Sequence, residues 1–323
     1  MTEQALQTLK DGYTFDGETL DLGVALDGED PSKETPISIP LSMLNRHGLV
    51  AGATGTGKTV TLQVLAEQLS RAGVPVFASD IKGDLSGIGA AGVESDKLRK
   101  RLDAAGQDWQ PKSNPTEFYT LGDSGLGTPL RATVTSFGPI LLSKVLELND
   151  TQESVLSLVF HYADQAGLAL LDLSDLKAVL NFLTSDEGKA DLEGIGGASK
   201  ATVGVILRKI SELAAQGGDV FFGEPEFDSA DLLRTDDNGP GIVSVLELQK
   251  LSQSPALFST FLMWLLADLF QDLPEVGDPD KPSLVFFFDE AHLLFAGASK
   301  AFLQSVTQTV RLIRSKGVGI FFV

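Results

Sequence analysis

Gly52, Gly57, Lys58 and Thr59 are spaced as G-x-x-x-x-G-K-T within the stretch LVAGATGTGKTV at 49–60, and the chemistry of that pattern is phosphate binding. Apolar residues precede it and helix-forming residues follow it. A strand must therefore end, the backbone must turn so that successive N–H groups point inward, and a helix must begin with its partial positive charge facing the same hollow. The loop that runs from Gly52 through Ala53, Thr54, Gly55 and Thr56 to Gly57, with Lys58, Thr59 and Val60 opening the helix, is predicted to cradle a di- or triphosphate. Lys58 would place a point charge on the β and γ phosphates, and the Thr59 hydroxyl would ligate the Mg²⁺ that bridges them. A second pair of groups, Asp289 and Glu290, closes the apolar run SLVFFF at 283–288. Taken alone, two carboxylates after an apolar strand are the solvated end of that strand. Joined to the upstream loop they complete a catalytic site at the γ phosphate, with Asp289 holding Mg²⁺ directly or through water and Glu290 polarising the attacking water.

Elements to position these groups can be read from the surrounding sequence. Leu62, Leu65, Ala66 and Leu69 recur on one face of a helix ending at Ala72-Gly73, and VPVFAS at 74–79 is a continuous apolar run of the kind buried in a parallel sheet. Strand, loop, helix and strand form a βαβ unit, so the fold class is α/β. Asp80, Lys82 and Asp84 follow at the strand's C-terminal end, where Asp80 and Lys82 suit a position facing the nucleotide or a moving loop, or else a solvated turn. Residues 1–40 are polar, with short alternating stretches that suit edge strands or a hairpin. Gly83 to Thr128 reads as loop, interrupted by the basic helix DKLRKRLDAAG, whose cations fit a solvated face or a phosphate contact. Helical segments near 139–148, 151–166, 174–184 and 200–216, interrupted by a glycine-rich loop, suggest an α-helical insertion over 139–216 that divides the core into 41–138 and 217–323. His161 falls within an apolar helix and reads as a packed side chain. Strands are expected at 242–248 and 318–323. Ser254-Pro255 opens an apolar helix to about Asp272. A helix over 299–316 carries Arg311 and Arg314, which complement its dipole or stabilise charge elsewhere.

Composition narrows the function classes. Hydrophobic residues make up 43% of 323 and charged ones 21%, which argues against long disorder. No apolar run reaches the roughly 20 residues that cross a bilayer, and the N-terminus lacks a leader pattern, so a cytoplasmic protein without membrane contact is expected. The chain has no cysteine, which removes disulfides, thiolate nucleophiles and Cys-ligated zinc. A net charge of −19 disfavours a broad nucleic-acid face but permits a few basic residues lining a channel.

On the residues GATGTGKT, SDIKGDLSGI, GPILLSKVLELNDTQ, FFFDEAHLLF and the final RLIRSKGVGIFFV, the chain resembles the HerA-like, YjgR-type bacterial ATPases of the HerA–FtsK superfamily over most of its length. That resemblance implies a RecA-like P-loop core with a mostly parallel sheet flanked by helices, ATP and Mg²⁺ as ligands, and a hexameric ring that moves DNA as a translocase or helicase. It also implies a role for Arg314, three residues before Gly317, in reaching the neighbouring subunit's nucleotide. The family usually continues past the last strand into a Thr-Gln sensor and carries a larger N-terminal barrel. Neither is found in this sequence, so a fragment of a longer protein is expected. Among rivals, a DEAD/DEAH-box helicase would need a Ser-Ala-Thr motif and a shorter spacing, and a GTPase would need Asn-Lys-x-Asp. LSGIG at 85–89 resembles the transporter signature but follows the second strand. A nucleotide-dependent scaffold or regulatory ATPase without translocation is the alternative of a different class.

Overall fold

The computed structural model describes residues 3–122, 127–249, 255–295 and 300–323. In chain order the elements are α1 (Glu3–Gly12), β1 (Thr19–Asp27), β2 (Asp30–Pro40), β3 (Gly48–Leu49), α2 (Lys58–Arg71), β4 (Val76–Asp80), α3 (Asp96–Ala105), β5 (Thr116–Leu121) and β6 (Thr128–Leu130). There follow α4 (Val134–Val145), α5 (Asp150–Gln165), α6 (Leu173–Thr184), α7 (Lys189–Gly194), α8 (Lys200–Leu213), α9 (Asp219–Phe221), β7 (Val243–Glu247) and α10 (Pro255–Asp272). The chain closes with β8 (Leu284–Phe288), α11 (His292–Phe295), α12 (Lys300–Ile313) and β9 (Val318–Phe322).

Seven strands form one sheet in the order β3-β9-β8-β4-β7-β5-β6, with every pairing parallel. Parallel strands with crossover helices are covered on both faces, which is why β4, β7 and β8 are buried at every position and mainly apolar, with Ser79, Asp80, Ser244 and Glu247 as the polar exceptions. Along β8 the side chains alternate between two cores. Leu284, Phe286 and Phe288 face the helices α4, α5, α6, α8 and α10, while Val285 and Phe287 face α2 and the N-terminal hairpin. Phe286 packs on Phe77 at 5.1 Å between ring centroids, and truncating such a fully buried ring to alanine costs about 3–5 kcal/mol.

The parallel order has a consequence for chemistry. All seven strands end at one edge, so Asp80, Glu247 and Asp289 come together there with the loop that follows β3. Because β9 lies between β3 and β8, the two halves of the site are two strand spacings apart, about 10 Å.

Several expectations from the sequence are corrected. TEFYTL at 116–121 and TPL at 128–130 lie in the stretch read as loop, yet form the strands β5 and β6 at the sheet's far edge. β6 is the edge strand and β5 pairs on both sides, and the mixed composition of each follows its partial exposure. The polar N-terminus contains a helix, α1, with no buried residue, followed by the expected hairpin of β1 and β2. That hairpin is fastened to α2 by the Gln68 amide, whose Nε2 donates to Asp21 O at 2.8 Å and whose Oε1 accepts from Asp21 N at 2.7 Å. The glycine-rich loop after α6 contains α7. α4 starts at Val134, capped by Thr133, and breaks at Gly138 (φ 73°) before Pro139. His161 is exposed, not packed. The helices over 139–216 share one hydrophobic cluster with the sheet and α10, through Leu156, Leu180, Ile206, Phe261 and Phe286. Ser254 and Ser299, read as helix starts, lie outside the described residues.

His47 couples the entry of β3 to β9, its Nδ1 accepting the Ile320 N–H at 3.2 Å. Burial, reinforced by the charge of Arg314 and opposed by the Val310 backbone, lowers its pKa below 6.5. The folded state thus binds a proton less readily than the unfolded chain. Above pH 6.5 the group contributes no pH dependence, and stability is lost as pH falls below that value. His47→Asn, which keeps an acceptor for Ile320, is expected to flatten the decline of the urea midpoint with falling pH relative to the wild type.

Candidate functional site

The loop after β3 turns through two glycines in the left-handed region, Gly55 (φ 79°) and Gly57 (φ 97°). A side chain there would be strained, and at Gly52 a Cβ would lie 2.4 Å from the Thr56 hydroxyl. Gly57 is the N-cap of α2 and supplies no side-chain cap, so the first amides of this 14-residue helix remain available to an anion. Lys58 folds back over the loop, its Nζ donating to Gly52 O at 2.8 Å and Ala53 O at 3.3 Å. Thr56 tightens the same turn through a 2.8 Å bond from its hydroxyl to Ala53 O. Ala53, Thr54, Gly55 and Val60 are exposed along the rim, and Thr59 is half-buried in the first turn of the helix.

Asp289 leaves the end of β8 only 2% exposed. Its Oδ1 accepts the Glu290 N–H at 2.9 Å, whereas Oδ2 is buried with no hydrogen-bond partner among the described residues. Burial, with the negative charges of Glu290 and Asp84 adding to it, raises the Asp289 pKa. A buried carboxylate oxygen without a donor lacks a cation or a water. Among the described residues no group of three or more His, Asp or Glu side chains is arranged to hold a metal. That suits a hard ion bound through one carboxylate, a hydroxyl and substrate phosphates, as Mg²⁺ is. Asp289 and Thr59 therefore fit a phosphate-bound Mg²⁺.

Glu290 adopts φ 49°, a left-handed conformation uncommon outside glycine. Its Oε1 is ion-paired with Lys82, and its Oε2 lies 3.3 Å from His292 Nδ1. The Lys82 hydrogen bond holds its carboxyl below the ordinary glutamate range, with His292 and Lys58 acting in the same direction.

Two carboxylates beside this pair have different tasks. Asp80 is fully buried, and its oxygens accept the Gly83 N–H at 2.6 Å and the Leu85 N–H at 2.8 Å. It is neither a nucleotide-facing group nor part of a solvated turn, because its valence is spent shaping the 81–85 loop. Glu247, at the end of β7, was not singled out from the sequence, although VSVLE is an apolar run closed by a carboxylate just as β8 is. It is 5% exposed, and burial and the neighbouring Asp80 raise its pKa.

Arg314 is not brought to this edge. It precedes β9 and sits at the opposite end of the sheet, 44% exposed and 3.7 Å from Asp278. Arg311 is exposed on α12. The structure thus unites Lys58, Thr59, Asp289 and Glu290 and leaves Arg314 facing outward, remote from its own chain's phosphate loop.

Comparison with known proteins bears on the family and the fold. The family model described as Helicase HerA-like C-terminal matches residues 26–323. The bacterial conjugative coupling protein TrwB, solved in complex with ADP and Mg²⁺, is similar in fold. It is 18% identical, with a TM-score of 0.58, over 98% of this chain and 70% of that one. VirB4 of Thermoanaerobacter pseudethanolicus is 16% identical, with a TM-score of 0.54, over 96% of this chain and 77% of its own. No curated protein matches the chain. These likenesses identify a RecA-like P-loop fold with a parallel sheet flanked by helices. Among the described residues no helix is long and apolar enough to cross a membrane.

Proposed function

The chain belongs to the helicase HerA-like C-terminal family, and on that premise we propose that it is an ATP-hydrolysing motor that moves DNA as part of a hexameric ring. The observation that carries the ATPase reading is the meeting, at one sheet edge, of the glycine loop with Lys58 and of a buried Asp289 oxygen without a donor. The loop amides and Lys58 bind and orient the β and γ phosphates. Thr59 and Asp289 would hold Mg²⁺, whose charge would neutralise the phosphate oxygens. Glu290 accepts a proton from the attacking water as the water oxygen bonds to the γ phosphorus and the bond from that phosphorus to the bridging oxygen of ADP breaks. Arg314, which precedes β9 at the end of the sheet opposite its own phosphate loop, would serve a neighbouring copy's nucleotide rather than its own. The domain division at 41–138, 139–216 and 217–323 belongs to the same reading, with the helical block as an addition built onto the motor core.

ATP hydrolysis by the intact protein, with and without duplex DNA, together with a mass measurement in ATP, tests this proposal. Stimulation by DNA and a sixfold mass support the motor, whereas hydrolysis that ignores DNA in a particle that never assembles supports a nucleotide-dependent regulator. Arg314→Ala is expected to lower kcat of the assembled protein about 10²-fold or more while leaving ATP binding intact. An unchanged kcat removes Arg314 from the site.

A further inference from the structure

The ion pair between Lys82 and Glu290 joins two elements that the chemistry of phosphate binding does not require to touch. Lys82 lies on the loop after β4, and Asp80 fixes that loop from below through its bonds to Gly83 and Leu85. The ammonium therefore projects from a fixed base. Glu290 is 18% exposed while Lys82 is 54% exposed, so the pair lies at the mouth of the edge, with its cation in reach of solvent and other anions. Lys82 takes one oxygen of Glu290, and His292 lies 3.3 Å from the other. Each oxygen of Glu290 therefore has a nitrogen beside it, and the Lys82 ion pair holds the one nearest the loop after β4.

We propose that Lys82 is a positioning residue that latches Glu290 away from the attacking water, so that turnover proceeds only from the fraction of molecules in which the latch is open. The proposal rests on the reading of Glu290 as the base. Lys82 itself touches neither phosphate nor metal in this scheme. Its effect on rate comes only through the population of free Glu290, which predicts a change in kcat without a matching change in nucleotide affinity.

The test uses the intact protein and four variants. Lys82→Met keeps the aliphatic stem and removes the charge, and it is expected to raise kcat about three- to fivefold, the population that an ion pair with one half-exposed partner can hold back. KM and the affinity for a non-hydrolysable ATP analogue stay within about twofold, because no phosphate contact is lost. Lys82→Arg, which can remake the pair, stays at the wild-type rate, and Lys82→Gln repeats the neutral change if methionine disturbs folding. An unchanged or lower kcat in both neutral variants, with analogue binding intact, overturns the latch. Glu290→Gln separates the two readings. If it still hydrolyses ATP, the base assignment fails and the latch with it, whereas an inactive Glu290→Gln beside unaccelerated Lys82 variants removes the latch alone.

Discussion

Glu290→Gln is expected to yield a protein that binds ATP and does not turn it over. The amide keeps the shape of the side chain and one acceptor oxygen, so the loop, the metal ligands and the neighbouring Asp289 are undisturbed. What disappears is the ability to take a proton from water, a contribution of about 10²- to 10⁴-fold to kcat. Removing the negative charge also frees Lys82 and His292 from their partner, which leaves nucleotide affinity equal or slightly higher. Steady-state phosphate release and equilibrium binding of a fluorescent ATP analogue measure the two quantities separately. A fall in both together would mean that Glu290 holds the nucleotide or the fold and is not the base.

Lys58→Ala is expected to act on the other quantity, binding. The ammonium lies at the phosphate loop, bonded to the carbonyls of Gly52 and Ala53. Phosphate oxygens would replace those carbonyls as stronger, charged acceptors. A hydrogen bond to a charged group contributes about 1.5–3 kcal/mol, so its loss weakens ATP affinity roughly 10- to 150-fold. Two further consequences follow from the geometry. The loop loses its internal tether, and the raised melting temperature that saturating nucleotide gives the wild type shrinks, since stabilisation by a ligand scales with the logarithm of concentration over Kd. Calorimetric titration and thermal melts with and without ATP read both effects. If the melting shift is as large in Lys58→Ala as in the wild type, phosphate is not bound where the loop places it.

Much of this site is legible along the chain because local rules govern it. The glycines at 52, 55 and 57 mark a turn that other residues enter at a cost. The helix after them has one apolar face, and the runs at 76–80, 243–247 and 284–288 are mainly apolar because their strands are covered on both sides. Other features escape such reading. β5 and the edge strand β6 have ordinary mixed sequences, and only their partners make them strands. α1 is a short, mostly polar helix that buries none of its residues. The helices over 139–216 are recognisable as helices, but that Leu156, Leu180 and Ile206 join the same core as Phe286 depends on how α10 packs between them and the sheet.

By itself the sequence determines the identity and local geometry of the phosphate loop and the strand that ends in Asp289 and Glu290, since both rest on backbone preferences and solvent cover that act over a few residues. Tertiary structure decides the rest. The strand order puts β9 between the two halves and sends Arg314 to the far end. The fold of the 81–85 loop turns Asp80 inward as a ligand for backbone amides, and it brings Lys82 onto Glu290 from 208 positions away. Ion pairs and buried orphan oxygens depend on distance and desolvation, and neither quantity exists until the chain has closed on itself.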